Sequence, residues 1–329
     1  MTSDMTIMVG TVGQGIMRSP DGGDTWRRVG INQGLHSDAL VRCLTNVPGK
    51  LETVFAGTDK GLYRSSDAGE SWQLIDSPLR DYCVWALAID SGQPDTMYAG
   101  TGTPDPAALF RSTDGGNTWE KRPMEAAAEC PAVGTPRVTG IAIDPDARNS
   151  IWVGLEVDGL RHSSDGGDTW ATVDQKAIPN LDVHNVAVAA GPPNTVVVVV
   201  NNDVYTSTDG GATWKALGIR EVFPLTYPRG IMVQPGSPNV IFVTIGDTTP
   251  GSTGTIMRST DTGKTWENLQ LPVQPNTAMW VVNMQPSNPE LVFAGSRYGY
   301  LYQSQDGGDS WSKLWREFSE ISSVMWLPN

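Results

Sequence analysis

The sequence predicts an all-β chain folded as a single seven-bladed β-propeller, four antiparallel strands to a blade, with the C-terminal strand closing the first blade. Three observations predict it. An eight-residue box, "SPDGGDTW" at 19–26, returns in six further variants, its third residue falling at Asp21, Asp67, Asp114, Asp165, Asp209, Asp261 and Asp306. Successive copies are 46, 47, 51, 44, 52 and 45 residues apart, and a β-type unit of roughly 40–50 residues is the length of one propeller blade. Between boxes, short apolar segments alternate with Pro, Asp, Asn and Gly turns and show no helical period.

Each period reads in the same order. A first apolar strand ("VWALAID", "VTGIAID", "RGIMVQP") runs into a turn, and a second follows ("TMYAG", "SIWVG", "VIFVT", "LVFAG"). The third alternates ("LFRST", "IMRST", "LYQSQ"), the box turns the chain, and a fourth strand leaves the Trp. The box suits a hairpin. Its fifth-position Gly takes the positive φ of a tight turn, and its Asp accepts hydrogen bonds from turn amides. The Ser or Thr at the seventh position adds a hydroxyl, and the Trp a large apolar plate. Seven of the twelve Trp lie in boxes, so the motif is read as structural. A calcium role is not expected, because the oxygen-rich spacing of a calcium loop is absent.

The resulting division is one domain over 1–329. The first blade is built from 1–30 plus 320–329, and the others from 38–76, 82–123, 137–174, 183–218, 229–270 and 279–315. The chain starts in a second-strand segment, "TIMVGT", and finishes in "EISSVMWLPN", which reads as a first strand. Pairing the two removes the open edges of the ring.

Composition narrows the partners. Lys+Arg 23 against Asp+Glu 36 leaves a formal charge of −13, a surface that repels nucleic acid and anionic lipid. The longest apolar run, "TVVVVV", is strand-sized, and the N-terminal residues have no basic, apolar leader, so no membrane association is expected. Three cysteines (Cys43, Cys83, Cys130) without CxxC spacing read as free thiols in a reducing, cytoplasmic setting.

The box resembles the Asp-box (BNR) repeat, S-x-D-x-G-x-T-W, over nearly the whole chain. That repeat occurs in sialidases, xyloglucan hydrolases, sortilin-type receptors and photosystem II assembly factors, so the resemblance implies the fold and leaves function open. Sialidases combine an arginine triad with a Tyr–Glu pair; Arg137, Arg229, Arg297, Tyr227 and Glu156 fit those parts, but the R-I-P signature is missing and sialidases have six blades. Xyloglucan hydrolases pair two propellers around a cleft. Photosystem assembly factors are single seven-bladed rings, and on that likeness the chain would be a non-catalytic scaffold.

Function is expected at the channel mouth where fourth-to-first and second-to-third loops gather, opposite the boxes. His184, in "LDVHNV", is the foremost acid/base candidate, because only histidine titrates near neutrality unaided. Glu156 and Tyr227 complete the catalytic set. Arg137, Arg229 and Arg297 are assigned to carboxylate or phosphate binding by guanidinium forks, with Trp85, Trp280 and Tyr298 as stacking faces and His36 as a second imidazole. The competing reading pairs these arginines with Glu156, Asp203 or Glu320 as braces. Three histidines in total exclude a four-histidine iron site, and no cluster has zinc spacing. No metal and no cofactor are therefore expected. The function read from the sequence is binding of a small anionic, carboxylate-bearing molecule and its metal-free hydrolysis or elimination. The alternatives are a protein-interaction ring and a sialidase-like glycoside hydrolase.

Overall fold

The computed structural model describes residues 5–329; residues 1–4 of the first blade as drawn from the sequence lie outside the described residues. The strands form seven four-stranded antiparallel sheets. In six of them the four strands follow in chain order, as in Val138–Ile143, Ile151–Leu155, Gly159–Ser163 and Ala171–Thr172. In the remaining sheet the innermost strand is Glu320–Pro328, which pairs with Met5–Val12 from Val12↔Glu320 to Met5↔Pro328. Each innermost strand packs on the innermost strands of both neighbours, and the series returns to its start where Glu320–Pro328 meets Val41–Val47.

Blades cohere through seven apolar clusters, one in each gap between adjacent sheets. Between blades 2 and 3, for example, Phe55, Leu62, Val84, Met97 and Phe110 are all buried. Side chains from facing sheets interdigitate there because second strands are buried on both faces, as in Ile151–Leu155 and Thr195–Val200. Where a second strand comes closest to the next blade its residue is Gly: a Cβ on Gly100 would sit 2.2 Å from Val138 Cγ1.

Every box makes the same bonds. The first-position Ser hydroxyl bonds the Asp carboxylate at 2.8–2.9 Å and accepts from the amide of the fifth-position Gly at 2.8–2.9 Å. The other carboxylate oxygen takes the seventh-position hydroxyl at 2.5–2.7 Å. The indole N–H closes the turn on the Gly carbonyl. The plates are not equivalent: Trp72, Trp119 and Trp311 are buried, while Trp26, Trp170, Trp214 and Trp266 are half-buried. Outside the strands, helix is confined to short turns such as Ile219–Val222, and among the described residues no helix is long and apolar enough to cross a membrane.

Two predictions follow from these bonds. Truncation after Phe318 removes the strand that covers Met5–Val12 and exposes its ladder and apolar face; the truncated chain is expected to aggregate or melt far below the intact protein, and normal melting would contradict closure. The second concerns acid. Thr118 hydroxyl and amide bonds hold Asp114 down to about 2, and equivalent bonds bring Asp209 and Asp306 to about 2. An unfolded aspartate titrates near 3.9, so the stability these groups contribute is complete above about pH 4 and disappears as pH falls through about 2. Asp114→Asn should lower the melting temperature at pH 7 and flatten its fall on acidification, as read by circular dichroism.

Candidate functional site

The mouth is shaped by one repeated irregularity. Near the channel end of each blade the innermost strand carries one more residue than the strand beside it, so a bulge interrupts the pairing there. Val41↔Thr58 is followed by Cys43↔Gly57, leaving Arg42 unpaired; by the same shift Trp85, Thr139, His184, Trp280 and Ser322 are unpaired, and in blade 6 Arg229 with Gly230. A bulge bends its strand and re-aims the extra side chain. Here the seven bulges deliver Arg42, Trp85, Thr139, His184, Arg229, Trp280 and Ser322 to the lining of one cavity of about 350 Å³. Loops complete it. Glu156 comes from the second-to-third turn of blade 4, Arg297 from that of blade 7, and Thr249 from the long loop of blade 6. Residues 122–137 cross the rim and bring Val133, pinned where Asp158 accepts from the Ala127 amide (3.0 Å) and Arg161 donates to the Glu125 carbonyl (3.1 Å).

The cavity contains two arginine–tryptophan clusters. Arg42, from blade 2, and Arg137, at the entry of blade 4, lie over the Trp85 ring of blade 3 at 4.1 and 4.8 Å. Arg229 and Arg297 lie over the Trp280 ring at 4.3 and 4.7 Å. Each cation–π contact is worth about 0.5–2 kcal/mol and fixes the guanidinium plane, leaving its in-plane donors available. Glu156 lies between the clusters, 3.0 Å from Arg137 Nε and 3.7 Å from Arg229 Nη1. Arg297 reaches Glu320 at 3.2 Å and donates to Thr249 at 2.6 Å. Even so, each guanidinium keeps a buried nitrogen without a hydrogen-bond partner: Arg42 Nε, Arg137 Nε, Arg229 Nη1 and Arg297 Nε. The 3.0 Å Arg137–Glu156 contact is close enough to pair charges but is not aligned as a hydrogen bond. Four guanidiniums against the carboxylates of Glu156, Glu320 and the adjoining Asp182 leave the mouth positive, on a chain whose overall charge is −13.

His184 forms part of the cavity wall. Its Nδ1 is 2.7 Å from the Pro228 carbonyl, which only accepts, so the proton sits on Nδ1 and Nε2 presents a lone pair. Burial and the nearby Arg229 charge hold the imidazole below its ordinary value, so it is neutral at pH 7. Nε2 faces Asp182 Oδ2 at 3.6 Å, and Asn201 donates to that oxygen at 2.9 Å. Tyr227 packs on His184 at 4.9 Å, and burial pushes its phenol up, so it stays protonated. One ligand atom from each of Glu156, Asp182 and His184 lies within 4.8 Å of the others, a spacing within reach of one metal ion. Charge argues against a cation there, because Arg137 and Arg229 already balance the two carboxylates.

Of the residues singled out from the sequence, Glu156, His184, Tyr227, Arg137, Arg229, Arg297, Trp85 and Trp280 line this cavity. His36 and Tyr298 do not. His36 is exposed, in a connection anchored by buried Leu35 and Ala39 against the outer Trp72 edge of blade 2, where the Trp72 amide bonds Gln33. Tyr298 is 48% exposed on the tight turn after Arg297, beyond the wall. The brace expected of Asp203 is absent: its carboxylate takes the amides of Val204, Gly218 and Ile219. Arg42, Thr139, Asn185, Thr249 and Ser322 went unread in the sequence. For Arg42 and Thr139 the signal is there once repeats are aligned, since "VRC" and "VTG" place them just after the first apolar residue of the blade, as "VWA" and "VHN" place Trp85 and His184.

Fold, boxes and mouth together define an Asp-box (BNR-repeat) seven-bladed β-propeller, and the chain belongs to that class. The family model described as photosynthesis system II assembly factor YCF48 matches residues 98–233, and that of sortilin, neurotensin receptor 3, matches 202–327. Relatives include the xyloglucanase Xgh74A of Acetivibrio thermocellus, 26% identical over 80% of this chain, and a xyloglucanase of a Paenibacillus species, 26% identical over 84%. The chain spans 37% and 32% of their lengths. Among solved structures, an ancestral GH74 enzyme superposes with TM-score 0.62 at 20% identity, over 88% of this chain and 38% of its own. YCF48 bound to D1 peptide superposes with TM-score 0.61 at 17% identity, over 93% and 87%. At these identities the superpositions speak for the fold.

The His184 environment predicts a pH effect. An imidazole whose folded pKa is lowered stays neutral when folded while the unfolded chain takes up its proton, so stability is full above about pH 6.5 and falls below it. In nitrogen-correlated NMR, His184 should show the Nδ1–H tautomer and titrate below its free value. Finding it charged at pH 7 would contradict this geometry.

Proposed function

We propose that the channel mouth binds a small carboxylate-bearing molecule and acts on it by metal-free hydrolysis or elimination. The observation that carries this is the convergence of four guanidiniums on one cavity of an acidic chain. A ligand carboxylate supplies acceptors in the fork geometry guanidiniums prefer. Chemistry then falls to the wall beneath. His184 Nε2 takes a proton from a carbon beside the carboxylate, or from a water adding to an ester or amide carbon; in that case the acyl C–O or C–N bond then breaks and the imidazolium returns the proton to the departing alcohol or amine. Asp182, at 3.6 Å, stabilises the resulting imidazolium. In elimination the C–H electron pair becomes the double bond, and the departing oxygen leaves with its own pair and takes its proton from the Tyr227 phenol. The Glu156 carboxyl group holds Arg137 and Arg229 in register.

Two other readings each have a specific observation behind them. The curated relatives are named xyloglucanases, which favours a glycoside hydrolase with Trp85 and Trp280 as sugar platforms. Glycoside hydrolysis requires one carboxyl protonated and one ionised. Burial works to raise Asp182, but the Asn201 amide beside it and the Arg229 charge hold it below its ordinary value, and Glu156 is flanked by two guanidiniums. The single-ring superposition on YCF48 over 93% of this chain favours an interaction ring, in which the same arginines would hold a partner's carboxylates.

A thermal-shift series of carboxylates and neutral xyloglucan oligosaccharides separates the readings. Carboxylates should raise the melting temperature by linkage to the folded state, and Arg229→Ala should weaken their affinity more than tenfold. His184→Gln should spare binding and slow turnover by roughly 10²–10⁴-fold. A response to the neutral oligosaccharides, with none to carboxylates, would overturn the anion reading.

A further inference from the structure

We infer that the ligand of this mouth is a dianion whose two anionic groups are held apart, one by each arginine–tryptophan cluster. This rests on the anion reading and makes it specific. The cations are not spread evenly round the ring. Arg42 and Arg137 meet at Trp85, on the arc of blades 2 to 4, and Arg229 and Arg297 meet at Trp280, on blades 6 and 7. The bulge residues of the blades between the arcs are His184 and Ser322, neither a permanent charge.

Two further observations agree. Each cluster presents its own pair of guanidiniums to the cavity, Arg42 with Arg137 and Arg229 with Arg297, so one anionic group at one cluster would leave the other pair without an anion from the ligand. Size limits the spacer: at about 30 Å³ per water-sized unit, a cavity of about 350 Å³ holds roughly a dozen non-hydrogen atoms. A dicarboxylate with a short or single-ring spacer fits, and its middle then lies between the clusters, where Glu156 and His184 line the wall.

The test compares benzene-1,4-dicarboxylate with 4-methylbenzoate, which keeps the ring and one carboxylate, by calorimetry on the full chain at fixed ionic strength. The dicarboxylate should bind at least tenfold more tightly. Arg42→Gln and Arg297→Gln, one in each cluster, should each bring the dicarboxylate to within a fewfold of the monocarboxylate, with unliganded melting temperature showing that the variants fold. Where Arg42→Gln does not fold, Arg42→Lys serves, since it keeps the charge and loses the fork. Equal affinity for the two probes, or loss confined to one cluster's variant, would overturn the dianion inference and leave the anion reading standing. Failure of both probes and of the wider carboxylate series would remove both.

Discussion

The bulge in every innermost strand is the constraint on which the mouth depends. A regular strand places successive side chains on opposite faces, so at most every second residue of an inner strand can face the channel. The extra residue breaks that alternation once per blade, at equivalent height, and a ring of seven side chains results. Close packing of the next blade makes this possible. Gly57, Gly100 and Gly154, the second-strand residues paired just past the bulges of their blades, have no Cβ to strike Val84, Val138 and Val183 of the neighbouring blade. The inner strands can then crowd together at the channel end. A side chain at any of these glycines would move the neighbouring blade and, with it, the bulge residue beside the displaced valine.

The repeated box, so prominent in the sequence, does a different job at the other end of the blade. Its carboxylate, two hydroxyls and indole satisfy a tight turn internally, so the hairpin needs nothing from its surroundings except a surface for the Trp plate. This explains how one octapeptide can recur in seven differently packed blades while the mouth residues vary round the ring. Fold is encoded by what repeats, and the site by what does not.

The fold was legible in the sequence for that reason, down to the pairing of the last strand with the first. The site was legible where chemistry alone marks a residue: His184, Arg229 and Trp280 stand out in otherwise apolar strands. It was illegible where position decides. His36 and Tyr298 have suitable side chains on connections that pass near the mouth, but Leu35 and Ala39 anchor one connection to an outer edge, and a tight turn leaves the other's ring at the rim. Arg42 was overlooked for the opposite reason. It lies inside a strand, where a period-two reading assigns it a face without showing that a bulge has turned it into the channel.

Length scales decide how an acidic protein can hold an anion. The box aspartates lie at the far end of strands such as Val138–Ile143, six residues long, which at about 3.3 Å per residue puts them roughly 20 Å from the mouth. At physiological salt the screening length is about 8 Å, so most of the distant negative charge is not felt at the cavity. The guanidiniums, by contrast, are half-buried, stacked on indoles and in direct contact with whatever enters. Local potential therefore sets affinity, whereas the net charge slows approach at low salt, where screening is weak. Added salt then acts in two directions, relieving long-range repulsion while weakening the contacts themselves. Association should consequently lose less rate with ionic strength than for a uniformly basic anion-binding protein, and dissociation should carry most of the salt dependence.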